Sequence, residues 1–176
     1  AIIATWYLTG STDFQVGGIL SGKASGPVVG ILFALFVFGI GKAALMPFHR
    51  WLPAAMVAPT PVSALLHAVA VVKAGVFAIL KISVYIFGID LLAQNGITDL
   101  LLWIVSITII GASVIALKQD NLKRRLAYST ISQLSYVVLG AVLASTASVT
   151  GATLHIATHA VGKITLFFCA GAILVA

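Results

Sequence analysis

Apolar residues run nearly unbroken over 28–46, 61–88, 100–117, 126–147 and 152–176, and a shorter apolar run, 1–9, opens the chain. A helix rises about 1.5 Å per residue, so roughly 20 such residues cross a hydrocarbon core about 30 Å thick. Each long run therefore reads as a transmembrane helix, and 1–9 as the tail of another. None shows the alternation of the roughly 9–11-residue strands of a membrane barrel. The predicted fold class is all-α: a polytopic helical membrane protein, with residues 1–176 belonging to one transmembrane domain. Residues 10–27 form a Gly/Ser-rich loop. Residues 48–59 place His49, Arg50 and Trp51 among prolines, and this mixed character suits an interfacial connector or half-helix. The chain lacks an initiator Met and a basic leader, and it stops inside the apolar run AGAILVA. It reads as an internal piece of a longer protein.

Composition narrows the chemistry. Apolar residues make up 61% and charged residues 8%, against about 25% charged in an ordinary soluble domain. Ten Lys+Arg against four acids give +6, but the cations are dispersed through apolar text and form no solvated basic face for nucleic acid. All four acids are aspartates (Asp13, Asp90, Asp99, Asp120) and there is no glutamate, which leaves little for paired-carboxylate chemistry or a carboxylate metal cage. The single cysteine, Cys169, excludes an internal disulfide and any multi-cysteine metal site. No metal and no cofactor is expected. The loop 118–125 carries Lys118, Lys123, Arg124 and Arg125, and short loops rich in Lys/Arg stay on the cytoplasmic side. Counting spans from it puts Arg50 on the same side and Lys23 on the other. Pure topology is the simplest reading of this loop, with a lipid or partner-subunit site as the alternative.

Charges inside spans are the informative exceptions, because each costs about 2.5–3.5 kcal/mol on insertion scales. Lys42 lies in GIGKAALMPF, five residues before Pro47. The proline removes a backbone hydrogen bond and favours a helix break, and exposed half-helix ends favour ion stations. Lys42 is expected to be buried at mid-membrane depth, followed by irregular backbone. The next span carries His67, Lys73 and Lys81. At 100° per residue His67 and Lys81 fall about 40° apart, whereas Lys73 is about 120° from His67. Lys81 is close enough to the end of its span to snorkel. Lys73 is expected to face the bundle interior near Lys42 or the His155/His159 face, and a local helix widening would relieve its offset. The last span repeats His155, His159 and Lys163 at i, i+4, which puts three titratable groups on one helical face. Two histidines at that spacing are half of a zinc site, but position 156 is Ile where HExxH has Glu. Histidine exchanges protons near neutral pH and a desolvated lysine deprotonates readily, so the set reads as a proton relay. Interhelical hydrogen bonding is the plainer alternative, and it accounts poorly for three lysines.

Four motifs carry a resemblance: KAALMPFHRWLP from Lys42, APTPVSALLH ending at His67, LKRRLAYSTISQ from Leu122, and HxxxHxxxK from His155 to Lys163. Together they are similar to the antiporter-like membrane subunits of respiratory complex I (NADH-quinone oxidoreductase) and of Mrp-type cation/proton antiporters. The resemblance implies a subunit of about fourteen helices with two inverted five-helix repeats, of the kind ion-coupled transporters use. This stretch would hold the last two helices of the first repeat and the first three of the second. It further implies that Lys42 is the lysine of the first discontinuous helix. His67 and Lys73 would join two half-channels, and Lys163 with its histidines would begin the second. The glutamate that pairs with the first lysine in that family is absent here and would lie upstream, and the second discontinuous helix would begin beyond Ala176.

The expected function is translocation of protons, with Na⁺ as an alternative coupled ion, inside a multisubunit membrane complex. Any redox centre would sit on other subunits, since the chain has no dinucleotide fingerprint, iron–sulfur cysteines or haem motif. The expected location is a bacterial inner (cytoplasmic) membrane, with loop 118–125 on the cytoplasmic side. Two competing readings are a structural subunit without conduction and an unrelated solute transporter, the latter requiring a substrate pocket at the midplane.

Overall fold

The computed structural model describes residues 1–24, 26–94 and 97–175, and its regular elements are helical throughout. In chain order the α-helices are α1 (Ile2–Thr9), α2 (Pro27–Gly39), α3 (Trp51–Ala54), α4 (Thr60–Ala64), α5 (Val71–Ile82), α6 (Ile89–Ala93), α7 (Ile97–Leu117), α8 (Leu122–Val142) and α9 (Thr146–Val175). A π-helical segment, Leu65–Val69, joins α4 to α5, and another, Ser83–Phe87, extends α5. Thr60–Phe87 is therefore one 28-residue helix. Together with Thr98–Leu117 and Thr146–Val175 it is long and apolar enough to cross a membrane.

The sequence-derived bounds and the helices differ at several ends: α7 starts at Ile97 and not 100, α8 stops at Val142 and not 147, and α9 starts at Thr146 and not 152. Two further differences have a local cause. The run 28–46 holds a helix only to Gly39, 13 residues or about 20 Å. Glycines at 39 and 41 end it early, after which the chain passes through a 3₁₀ turn at Gly41–Ala43 and a left-handed Ala44 (φ 54°). The run 126–147 corresponds to α8, which starts four residues sooner. The Asn121 side chain accepts from Arg124 N–H at 3.1 Å and so caps the first turn.

Packing is antiparallel and sequential at the centre: α8 lies against both α7 and α9, and α9 also lies along α4 and α5. Between α7 and α8, Ser113 and Ser132 hydroxyls lie 2.7 Å apart, and Ser132 Oγ donates to the Ile109 carbonyl at 3.1 Å. Such bonds suit a bundle whose surroundings offer no water. Phe33, Phe36 and Phe87 form an edge-on aromatic cluster, with Phe33 and Phe87 centroids 5.1 Å apart, that ties α2 to the end of the Thr60–Phe87 helix. The loop before α2 is fastened to that end by its backbone. Leu20 N–H donates to the Ile86 carbonyl at 3.0 Å, and Gly18 sits so close that a Cβ there would lie 2.4 Å from Phe87 backbone carbon.

Gly75 has a comparable task inside the bundle. A Cβ on it would lie 2.6 Å from Ala43 N and 2.7 Å from the Lys42 carbonyl carbon. The interrupted segment thus lies backbone-on against α5, which only glycine permits. Gly75→Ala is expected to push that segment away and destabilise the protein by about 1–3 kcal/mol, the usual range for overpacking. A lowered unfolding midpoint in detergent would register it, and an unchanged midpoint would contradict the contact.

Candidate functional site

The i, i+4 residues of α9 acquire their surroundings from two antiparallel neighbours. Along the Thr60–Phe87 helix, Gly171 abuts Thr60, the Phe167 ring stands 5.3 Å from the His67 ring, and Val149 and Thr153 share a cleft with Phe77, Lys81 and Tyr85. Along α8, Lys163 reaches Leu126 and Ser129, the His155 ring stands 6.3 Å from Tyr136, and Ala152 meets Gly140. The inward face of α9 is therefore a seam shared by three helices.

Five of the six sequence-predicted relay residues lie on this seam. His67 is fully buried, Lys73, His159 and Lys163 are 6%, 7% and 4% exposed, and His155 is half-buried. His155 and His159 rings stack at 5.8 Å. The charge of Lys163 acts on both His67 and His159, and Lys73 also acts on His159, so His159 lies within the field of both lysines. Lys163 Nζ donates to the Leu126 carbonyl at 3.2 Å and to Ser129 Oγ. By contrast Lys73 Nζ, both ring nitrogens of His67 and of His159, and His155 Nε2 are buried with no hydrogen-bond partner among the described residues. A buried group left unsatisfied costs about 1–3 kcal/mol, and such groups cluster where water, ions or protons are handled.

The widening expected near His67 is present: Leu65–Val69 is π-helical, with Ala70 N–H donating to the Leu65 carbonyl at 3.0 Å. His67 and Lys73 both reach α9, at different heights.

Lys42 is not on the seam. The expected burial of its side chain is not found: it is exposed and lines an open cleft of about 490 Å³ with Phe38, Gly39, Gly41, Phe48, Trp51 and Val71. The early stop of α2 sets the 3₁₀ segment's backbone and the Lys42 Cβ against Gly75, while the Lys42 side chain as a whole is exposed. The irregular backbone expected between Lys42 and Pro47 is there, with a cis Met46–Pro47 bond at its end, but the interruption begins at Ile40, well ahead of the proline. Lys81 lies over the Phe14 ring, 4.3 Å from its centroid.

Sequence reasoning passed over three groups. Ser129 holds Lys163, Tyr136 faces His155 together with Gln133 in an open cleft of about 530 Å³, and His49 lies 6.1 Å from the Tyr128 ring. Ser129, Ser132, Gln133 and Tyr136 follow i, i+3, i+4, i+7, a polar stripe along one side of α8 that runs from the buried Lys163 contact to the open cleft at Tyr136. Among the described residues no group of three or more His, Cys, Asp or Glu is placed to hold a metal ion.

The profile of the family described as NADH:quinone oxidoreductase/Mrp antiporter, TM, matches residues 1–176. The chain is 37% identical over 184 residues to the chloroplastic NAD(P)H-quinone oxidoreductase subunit 5 of Ipomoea purpurea, covering 98% of this chain and 24% of that one. It is 36% identical over 180 residues to NAD(P)H-quinone oxidoreductase chain 5 of Synechocystis sp., covering 98% and 25%. It thus spans about a quarter of the length of these relatives. Among solved structures it is similar to a chain of the Mrp complex from Dietzia sp. DQ12-45-1b, at TM-score 0.76 and 34% identity, covering 94% of this chain and 18% of that one. Helices long and apolar enough to span a bilayer, the four motifs in order, and a match over the whole sequence agree: this is an integral membrane chain, and it belongs to the NADH:quinone oxidoreductase/Mrp antiporter transmembrane family.

Proposed function

We propose that this chain carries protons across the membrane as part of an antiporter-like subunit, along Lys73, His159, Lys163 and His67, with His155 at the open end of the row. The observation that carries the reading is the seam itself: two lysines and two histidines on two packed helices, with α8 as the third wall, all four at least nine-tenths buried and most of their polar atoms unpartnered. A neutral histidine accepts at one ring nitrogen and donates from the other, and a lysine accepts when neutral and donates when charged. Charge arriving at one station weakens proton binding at the next by repulsion. One or two waters can bridge stations several Å apart. Ser129 Oγ and the Leu126 carbonyl hold the charged form of Lys163.

The donor set favours protons. The seam offers amines and imidazoles, whereas a hard cation such as Na⁺ seeks several oxygen ligands. Na⁺ coupling would draw on other parts of the protein. Open clefts of about 490, 530 and 530 Å³ lie beside Lys42, His155 and Lys81, and Lys73, His159 and Lys163 are not among the residues that line them. The names of the relatives support a place beside other membrane subunits in a complex of the NADH-quinone oxidoreductase or Mrp kind, with any redox centre elsewhere. Four cations in loop 118–125 support a cytoplasmic position for it, and a bacterial inner membrane fits the same reading.

The test is proton flux by the intact complex in liposomes, followed with an internal pH dye, in Na⁺ and in choline media. Lys73→Met is expected to lower the flux about 100-fold, the scale of a lost acid–base group. Unaltered flux with Lys73→Met would leave these residues a packing role only.

A further inference from the structure

Lys123 stands in the loop whose cations set the orientation of the chain, yet its ammonium is not left in solvent. Its Nζ donates to the Ala58 carbonyl at 2.5 Å, across 65 positions of sequence. Ala58 is where the interrupted segment gives way to the Thr60–Phe87 helix. It follows the 3₁₀ turn Ala55–Val57, its backbone is extended (φ −62°, ψ 154°), and Pro59 and Pro61 flank the first residue of α4. Prolines supply no N–H, so this junction is poor in backbone donors. The Ala58 carbonyl also accepts from Ser63 Oγ at 3.1 Å, and Ser63 N–H donates to the Pro59 carbonyl at 2.9 Å. That one carbonyl therefore anchors the start of the helix that carries His67 and Lys73.

The other side of the tie is equally specific. Lys123 is in the first turn of α8, and within the next two turns Tyr128 meets His49, and Leu126 and Ser129 receive Lys163. The start of α8 thus touches the interrupted segment, the α4 junction and α9. Arg125, by contrast, bonds within its own loop, Nε to the Gln119 carbonyl at 3.0 Å. A cation that only sets topology works from anywhere in the loop and has no need of a fixed partner.

We propose that Lys123 is a positioning residue that ties the Ala58 junction to α8, fixing the height of His67 and Lys73 against Lys163. Its effect on transport rests on the proton-relay reading; the tie itself does not.

The experiment uses the intact complex in liposomes and three variants: Lys123→Met, Lys123→Arg, and the double variant Lys123→Gln/Gln119→Lys, which keeps four cations in loop 118–125. Amide hydrogen exchange and proton flux are read on each, with protection of 131–142 reporting that the bundle is folded. Lys123→Met and the double variant are expected to speed exchange in 60–64 about tenfold or more, while Lys123→Arg stays within about threefold of the wild type. Flux should fall in the same order. Full recovery of both readouts in the double variant would overturn the proposal, since loop charge alone would then suffice. Unchanged exchange in Lys123→Met would also overturn it. Flux lost in Lys123→Arg with protection kept would overturn it in favour of a proton-carrying lysine. Lost protection with unaltered flux would uphold the tie and count against the relay instead.

Discussion

Replacing Lys163 with methionine is expected to abolish proton flux while membrane insertion and assembly continue normally. Methionine matches the length and apolar stem of lysine, so the packing of α9 against α8 and the His67 helix survives. What disappears is the ammonium that bonds Ser129 and the Leu126 carbonyl and whose charge reaches both His67 and His159. The other relay groups then face each other across a gap with no carrier, and a loss of about 100-fold or more follows. Lys163→Arg separates two roles of the same residue. Guanidinium keeps the charge and the donors but does not deprotonate, so its flux should fall nearly as far as that of the methionine variant. Normal flux with arginine would identify Lys163 as a fixed charge and remove α9 from the relay.

His159 and His155 should respond very differently, although they are one helical turn apart and their rings stack. His159 is 7% exposed and within the field of both Lys73 and Lys163. His155 is half-buried on a cleft with Tyr136 and Gln133. His159→Leu interrupts the row between two lysines and should cost about 100-fold in flux, whereas His155→Leu, beside groups that can take over its contacts, should cost no more than about tenfold. Equal losses would show that the row runs along α9 alone and not across to Lys73.

The parts of this arrangement that could be read from the sequence share a physical origin, the period of the helix. His155, His159 and Lys163 repeat every four residues, and that spacing puts them on one face whatever the neighbours are. Lys73 had to turn inward because hydrocarbon tolerates an ammonium poorly. The exposure of Lys42 was not legible, because it depends on where α2 stops. Apolar text continues past Gly39 and hides the stop, and the proline draws attention to a point seven residues too late. Ser129 was passed over because its partner is 34 positions away, a pairing that only the antiparallel docking of α9 creates. Lys123 was read as one of four equivalent loop charges, and composition cannot tell an anchored cation from a solvated one.

The π-helical turn at Leu65–Val69 makes the reading frame of one helix a functional quantity. It holds one more residue than a regular turn would, so removing a single residue there would mend the helix and improve its backbone hydrogen bonding. The same deletion would turn everything after it by about 100°. Lys73 would swing off the α9 side, and Gly75 would rotate away from the Lys42 backbone, bringing a bulkier neighbour in its place. A loss of one residue would here exchange a better helix for a dead row, and the extra residue is accordingly a part of the site that no side chain reveals.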